Sequence, residues 1–478
     1  MSTDQPARRP WVSLAVVAAG LFLAVTSTTV VSVALPTIGA DLHATATDLE
    51  WIVDAYVIVY SSLLVAGGVI GDRLGRKGLF LAGVATFGAG SLAAGLAPTV
   101  GVLIAARALQ GLGPALLVPG SLTIIRATFA DERRRAVAIG LWSTASGVAL
   151  AVGPVLGGVL VEAGGWPWVF LFNVPLAVIL VALAGVLLPR LPRARGAAPF
   201  DWAGAAATTA GVALLACATI EGPDLGWGSP VVLAALAAGV AALAALVARE
   251  RRARGPLIDV TLFARPAFTA ANLAALVVFF AFVGAIVYFS AYFQQVQHHT
   301  AIAAGLEVSA IGVAFAVAAS QSGRLVARFG PRRPMLAGLV IAAGATLGLL
   351  RLGESTGIGA IWWDFALLGA GVGMSLTPMT AVAMSAVGAG QAGMVSAVHN
   401  ALRQLGQVFG VAVLGALVYA RLPAGASAGR PLPARQAGLF ASGLHDAIWV
   451  SGVALLGAAV LAALLVRREL PMRNDGPR

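Results

Sequence analysis

The chain has 478 residues, of which 59% are hydrophobic and only 11% charged, with a formal net charge of +11. Its mean hydropathy of +0.90 lies far from the soluble globular mix, in which about a quarter of residues are charged, so a string of soluble domains is excluded. The apolar runs do not alternate in segments of roughly ten residues, which excludes a β-barrel, and the single cysteine, Cys217, excludes an internal disulfide or a thiolate metal cluster.

Apolar runs near 20 residues recur from end to end, each long enough to cross about 30 Å of hydrocarbon as a helix. In chain order they predict fourteen membrane-spanning helices, near 11–35, 51–71, 78–97, 101–125, 136–161, 168–188, 202–220, 230–248, 267–293, 302–322, 334–352, 358–384, 393–420 and 446–466. The first run follows Arg8 and Arg9 as a signal peptide would. Its length and its many equals make it the first span instead.

A sequence pI of 11.1 raises the question of a nucleic-acid partner, and the placement of the charges answers it. Arg and Lys fall in alternate loops: Arg8 and Arg9; Arg73, Arg76 and Lys77; Arg133 to Arg135; Arg190, Arg193 and Arg195; Arg249 to Arg254; Arg324 to Arg333; Arg467 and Arg468. The loops between carry mostly Asp, Glu and His, among them Asp41, Glu50, Glu162, Glu221, Asp224, His298 and His299. The loop from Arg421 to His445 departs from the trend. This is the positive-inside pattern, so the basic charge reports topology, with both termini in the cytoplasm and no nucleic acid implied.

Self-similarity organises the chain. Gly68, Gly75 and Gly83 recur as Gly323, Gly330 and Gly338 at a constant offset of 255 residues, and the basic pair Arg76-Lys77 recurs, one place later, as Arg332-Arg333. The stretch QGLG (Gln110 to Gly113) is echoed by LGAG (Leu368 to Gly371). The expected division is a six-span half over 1–189, a linker with an inserted two-span hairpin over 190–266, and a second six-span half over 267–478. Parallel repeats of this kind around a midplane cavity build secondary transporters.

A charge inside a span is a functional candidate by default, since burying it costs from about 3 kcal/mol upward. The candidates are Asp54, Arg107, Asp364 and Arg403, with Glu307 nearer an interface. Asp54 and Arg107 are placed at similar depth and are candidates for an ion pair that titrates when separated. Asp54 beside Trp51 also reads as a hydrated interfacial group, and Arg107 as a hydrogen-bond hub. Arg403 stands with Asn400 and Gln404 on a glycine-rich span, facing either the cavity or a neighbouring helix. In the fifth span Ala149, Gly153 and Gly157 share one face at four-residue spacing, where another helix can approach closely, and Pro154 favours a kink. GASAG (Gly425 to Gly429) fits a hydrolase pattern without its strand–turn–helix context, and GAGVG (Gly369 to Gly373) lacks the strand of a dinucleotide loop. His298-His299 reads as a solvated pair.

Taken in order, several stretches resemble the major facilitator superfamily. GVIGDRLGRK (Gly68 to Lys77) looks like its signature loop between spans 2 and 3, and RALQGLGPA (Arg107 to Ala115) resembles its span-4 motif with a buried arginine. GLWSTASGVALAVGPVLGG (Gly140 to Gly158) is similar to the span-5 antiporter motif, with Ala149 in place of one glycine. VTSTTVVSVALP (Val25 to Pro36), GWPWVFLFNVP (Gly165 to Pro175) and HNALRQLGQVFG (His399 to Gly410) resemble the fourteen-span drug:proton antiporter branch. Ser27 stands where that branch usually has a span-1 aspartate, Ser32 where it has an asparagine, and Pro167 where it has an arginine.

The resemblance implies an all-α integral membrane protein of a bacterial cytoplasmic membrane, with two pseudo-symmetric six-helix bundles and an inserted hairpin. It implies export of drugs, antibiotics or hydrophobic or amphipathic metabolites by proton antiport, with no enzymatic activity. No cofactor beyond the proton gradient is expected, and the partners are the cargo, protons and the lipid bilayer around a monomer. Asp54 and Arg107 become proton-coupling candidates. Gly68, Asp72, Arg73, Gly75, Arg76 and Lys77 become a gating loop, in which Asp72 latches the outward-open state; Ala327 stands at its echo. Gly153, Pro154, Gly157 and Gly158 form the antiporter motif. Ser27, Gln110, Asn400, Arg403 and Glu307 are substrate-cavity candidates. Lipid-like cargo is the alternative within the fold, and a non-transporting receptor or scaffold the alternative outside it.

Overall fold

The computed structural model describes residues 10–189, 191, 202–251, 260–353, 356–385, 392–423 and 431–466. Among them there is no strand, and twelve helical segments are long and apolar enough to cross a membrane. The helices are α1 (Pro10–Leu42), α2 (Ala46–Leu74), α3 (Arg76–Gly95), α4 (Val100–Thr128), α5 (Glu132–Gly164), α6 (Trp168–Leu171) and α7 (Asn173–Leu187). They continue as α8 (Trp202–Leu225), α9 (Pro230–Glu250), α10 (Pro266–Ala291), α11 (Ala301–Phe329), α12 (Arg332–Gly348), α13 (Ile358–Ser385), α14 (Ala392–Tyr419) and α15 (Ala434–Leu465). Helices α2 and α8 are not among the twelve segments.

Local chemistry sets many of the boundaries. Thr45, Thr99, Asp131, Ser229 and Thr300 each accept a hydrogen bond from the backbone N–H three residues on, and so start α2, α4, α5, α9 and α11. Gly75 and Gly330 take positive φ angles of 101° and 73°, and turn the chain from α2 into α3 and from α11 into α12. The expected span 168–188 is divided between α6 and α7. Pro175 has no N–H to give the carbonyl of Leu171, which removes the bond that would carry the helix across.

The packing repeats itself. Helix α4 lies against α2 and α3, α1 against α5, and α3 against α7; in the second half α13 lies against α11 and α12, α10 against α14, and α12 against α15. The echoed glycines make matching contacts. A Cβ on Gly83 would stand 2.7 Å from the carbonyl oxygen of Gly113, and one on Gly338 2.5 Å from that of Gly371. The α1–α5 contact closes over Gly153 and Gly157, whose Cβ atoms would meet Thr29 and Val30; the α10–α14 contact closes over Gly406 and Gly410, opposite Leu276 and Phe280. Glycine serves here because two backbones touch.

Across the halves the contacts are also paired: α2 packs on α14, and α5 on α11. The end where α1 starts and α15 finishes is here the terminal end, and the opposite one the distal end. At the distal end Gln294 Nε2 donates to the carbonyl of Val33 at 3.0 Å, and Glu162 accepts from the N–H of Ile302 at 2.7 Å. Helices α5 and α11 touch through Gly158, Gly305 and Gly312 as far as Gly147 and Ala316. Nearer the terminal end, a Cβ on Gly140 or Gly323 would meet nothing within 4 Å among the described residues. Among the described residues the close α5–α11 contacts thus lie towards the distal end. Helix α8 packs on α9 and also lies against both α2 and α14, tied to α2 by a 2.9 Å bond from Trp51 Nε1 to Glu221.

Candidate functional site

Arg107 is fully buried. The α2–α4 contact brings it against α2, since Gly111 allows the carbonyl of Tyr56 within 2.3 Å of its Cβ position. Its Nε donates to the carbonyl of Ile52 at 2.8 Å, and its Nη1 to Ser27 Oγ at 3.1 Å and to Gln110 Oε1 at 2.5 Å. Gln110 Nε2 passes the chain on to Ser91 Oγ at 2.7 Å. The guanidinium stacks over Tyr56, 4.4 Å from the ring centroid, with Phe170 at 5.8 Å. Arg107 thus ties α1, α2, α3 and α4 together. Ser27 and Gln110, expected at the cavity, are spokes of this hub with 1% and 0% exposure.

Asp54 does not pair with Arg107. The two occupy different sides of α2: the arginine meets the Ile52 carbonyl and the Tyr56 ring, whereas Asp54 lies one turn beyond Glu50 and near Tyr288 of α10. Asp54 is fully buried, and neither of its carboxyl oxygens has a hydrogen-bond partner among the described residues. A carboxylate so placed is costly unless it carries a proton. Glu50, which the sequence places in an outer loop, is only 6% exposed.

A second polar group faces α2 from α14. Arg403 Nη1 donates to Asn400 Oδ1 at 3.2 Å, its guanidinium stands 4.2 Å from the centroid of the Phe279 ring, and its Nε has no partner among the described residues. Gln404 and Gln407 are bonded to each other at 2.5 Å one turn further on. Tyr60 of α2 reaches this row beside Arg403 and Gln404, and its ring centroid is 6.2 Å from that of Tyr56. Two arginines, one from each half, are thus linked through consecutive tyrosines of α2. The four-residue spacing of Tyr56 and Tyr60, and of Glu50 and Asp54, was the available sequence signal for both faces.

The remaining candidates lie elsewhere. Glu307 is paired with His299 at 3.0 Å near the distal surface, outside the polar row. Asp364 is bound by Arg351 through both guanidinium Nη atoms. In the loop between α2 and α3, Lys77 Nζ donates to the carbonyls of Gly185 and Leu188 at 2.6 and 2.8 Å, and Arg76 lies against Gly71. The side chains of Asp72 and Arg73, and Gly68, lie outside the described residues. So do the linker over 192–201 and the GASAG stretch. Among the described residues no group of three or more His, Cys, Asp or Glu is arranged to hold a metal.

A bundle of membrane-spanning helices with two seams between its halves and buried charged groups beside one of them has the architecture of a membrane transporter. Residues 17–411 match the Major Facilitator Superfamily, and the chain belongs to that family, whose members are transporters rather than enzymes. It is 33% identical to the tetracenomycin C resistance and export protein of Streptomyces glaucescens, over 87% of this chain and 77% of that one. It is 36% identical to a methylenomycin A resistance protein of Streptomyces coelicolor, covering 85% and 86%. It is 34% identical to the multidrug efflux pump LfrA of Mycolicibacterium smegmatis, covering 97% and 91%. Among solved structures it shares the fold of a bacterial homolog of the human lysosomal transporter Spinster in an inward-facing, unoccupied conformation. The TM-score there is 0.69 at 18% identity, over 97% of each chain.

Proposed function

We propose that the protein exports drugs, antibiotics or hydrophobic or amphipathic metabolites across a bacterial cytoplasmic membrane by proton antiport with alternating access. The relatives that are export or efflux proteins support the direction. In this reading α2 and α8 also cross the bilayer, which makes fourteen crossings: two six-helix bundles with α8 and α9 as the inserted hairpin. The terminal end, with both termini, faces the cytoplasm, and the protein works as a monomer.

The observation that carries the coupling is Asp54, buried and unpartnered beside the α2–α14 seam. Protonation removes the burial penalty in one state, and contact with water restores the charge in the other. Arg107 holds the helices around it in place. Arg403 and Asn400 line the cargo path; Gly153, Pro154, Gly157 and Gly158 form the surface on which α5 rolls; and the α2–α3 loop with Asp72 is the gate.

The test is a cargo panel. The gene is expressed in a pump-deficient host, susceptibility to a range of drugs is scored, and uptake into everted vesicles is measured with and without an uncoupler. Asp54→Asn is expected to abolish gradient-driven transport at unchanged expression, and Asp72→Asn to reduce it without altering topology. Undiminished transport by Asp54→Asn removes that residue from the coupling.

A further inference from the structure

Arg403 is placed by backbone contact. Gly406 and Gly410 let α14 lie on α10 so closely that their Cβ atoms would stand 2.1 and 2.4 Å from the carbonyl oxygens of Leu276 and Phe280. That contact sets the guanidinium 4.2 Å from the centroid of the Phe279 ring. Leu405 and Val408 share an apolar cluster with Val57 and Tyr60 of α2, so α14 is held between α10 of its own half and α2 of the other. Asn400, Arg403, Gln404 and Gln407 follow at the three- and four-residue spacing of one helix face, and all four are half-buried.

The hydrogens of this face can be counted. Arg403 gives one to Asn400 Oδ1, and Gln407 gives one to Gln404 Oε1. Two of its three amide oxygens are therefore already engaged within the face. The donors left over are the amide nitrogen of Asn400 and the Nε and Nη2 of Arg403, and Nε is buried without a partner among the described residues. The face presents N–H groups around a full positive charge.

No carboxylate pairs with that charge among the described residues. Glu307 is held by His299, and Asp364 by Arg351. Glu50 lies at Gly415, twelve residues along α14 from Arg403, or about 18 Å at 1.5 Å per residue. Asp54, one turn along α2 from Glu50, still leaves roughly 12 Å by the same rise. Behind Tyr56, Arg107 adds a second guanidinium whose hydrogen-bond partners are all neutral.

We propose that the cargo is an anionic amphipath, a carboxylate or phenolate on a flat apolar body, whose charged oxygens bind Arg403 and Asn400 while its body lies along Phe279. A guanidinium is a planar fork that takes acidic oxygens side by side and stacks on an aromatic face. A cationic drug would meet like charge here, with no carboxylate beside it. The inference rests on the reading of the chain as an exporter and names the class of its cargo.

The test is binding, which needs no gradient. Full-length protein in phosphatidylcholine nanodiscs is titrated with fluorescein in its anionic form and with rhodamine 123, a cation built on the same ring system, and fluorescence anisotropy is read. Fluorescein is expected to bind more tightly by about tenfold or more, the equivalent of one hydrogen bond to a charged group. Arg403→Gln is expected to erase the preference, as is Asn400→Asp, which sets a carboxylate against the guanidinium. Arg403→Lys, which keeps the charge, is expected to keep part of it, and melting in detergent shows which variants are folded. A parent protein with no preference for the anion, binding of neither dye included, overturns the cargo class, as does a folded Arg403→Gln that retains the preference. Displacement of fluorescein by phosphatidylglycerol overturns it too, and gives the site to a lipid headgroup. Vesicle uptake reads the exporter function separately. Fluorescein bound at Arg403 but never taken up leaves the anion site and removes export, whereas uptake of rhodamine 123 alone removes the anion site and leaves export.

Discussion

Lys77 and Arg332 stand 255 residues apart and make the same contact. Lys77 Nζ donates to the carbonyls of Gly185 and Leu188 at the end of α7. Arg332 donates through Nε and Nη2 to those of Val466 and Ala463 at the end of α15, both at 2.7 Å. Each half thus ends its last helix on a cation supplied by the start of its third. The bare carbonyls of a helix C-terminus are electronegative, and a cation there contributes about 0.3 to 2 kcal/mol. The repeat aligns Lys77 itself with Arg332, one place off the basic-pair alignment drawn from sequence.

Neutralising either cap is expected to lower stability by about 1 kcal/mol. Lys77→Ala and Arg332→Ala should each melt earlier in detergent than the parent, while Lys77→Arg should match it. Equal melting of Lys77→Ala and the parent assigns the lysine to topology alone.

Arg107→Lys is expected to fail as a conservative change. The guanidinium reaches Ile52, Ser27 and Gln110 in a planar fork that an ammonium cannot reproduce. Gln110 and Ser27 then lose a buried partner each, at about 1 to 3 kcal/mol apiece. Transport should be lost with protein still inserted, as read by vesicle uptake beside a membrane immunoblot.

Glycines of α5 should divide by position. A Cβ on Gly158 would stand 2.6 Å from the backbone of Ala301 and Ile302, so Gly158→Ala should wedge the seam at about 1 to 3 kcal/mol and slow transport. Gly140→Ala meets nothing within 4 Å and should gain up to about 1 kcal/mol from helix propensity. Similar transport by the two variants speaks against α5 as a rolling surface.

Glu307→Gln should leave transport intact. Its partner His299 is 35% exposed, and such pairs contribute about 0 to 1 kcal/mol. A strong transport defect returns Glu307 to the cargo path.

Much of this architecture is written in the order of residues. Bilayer thickness dictates apolar runs of fixed length, so the spans are visible wherever they occur. Helix contacts between bare backbones demand glycine, so Gly83 with Gly113 and Gly338 with Gly371 leave a readable repeat. The buried charges are visible too, because a charge in hydrocarbon is conspicuous. Their partners are not. Asp54 and Arg107 share a depth, and depth alone suggested a pair; the side of α2 each occupies separates them. Ser27 and Gln110 looked like cavity polar groups, and became spokes of Arg107 because α1, α3 and α4 close around it.

Glu50 marks the limit most clearly. By itself the sequence determined that this chain is a bundle of membrane helices with duplicated packing, since one-dimensional hydropathy and glycine spacing are enough for that. Only the tertiary structure decided that a carboxyl at the edge of a span is buried, and lies with Tyr288 around the space left by Gly415. Those neighbours lie more than two hundred residues away in sequence, and a side chain's solvent and hydrogen-bond direction are set by what packs over it.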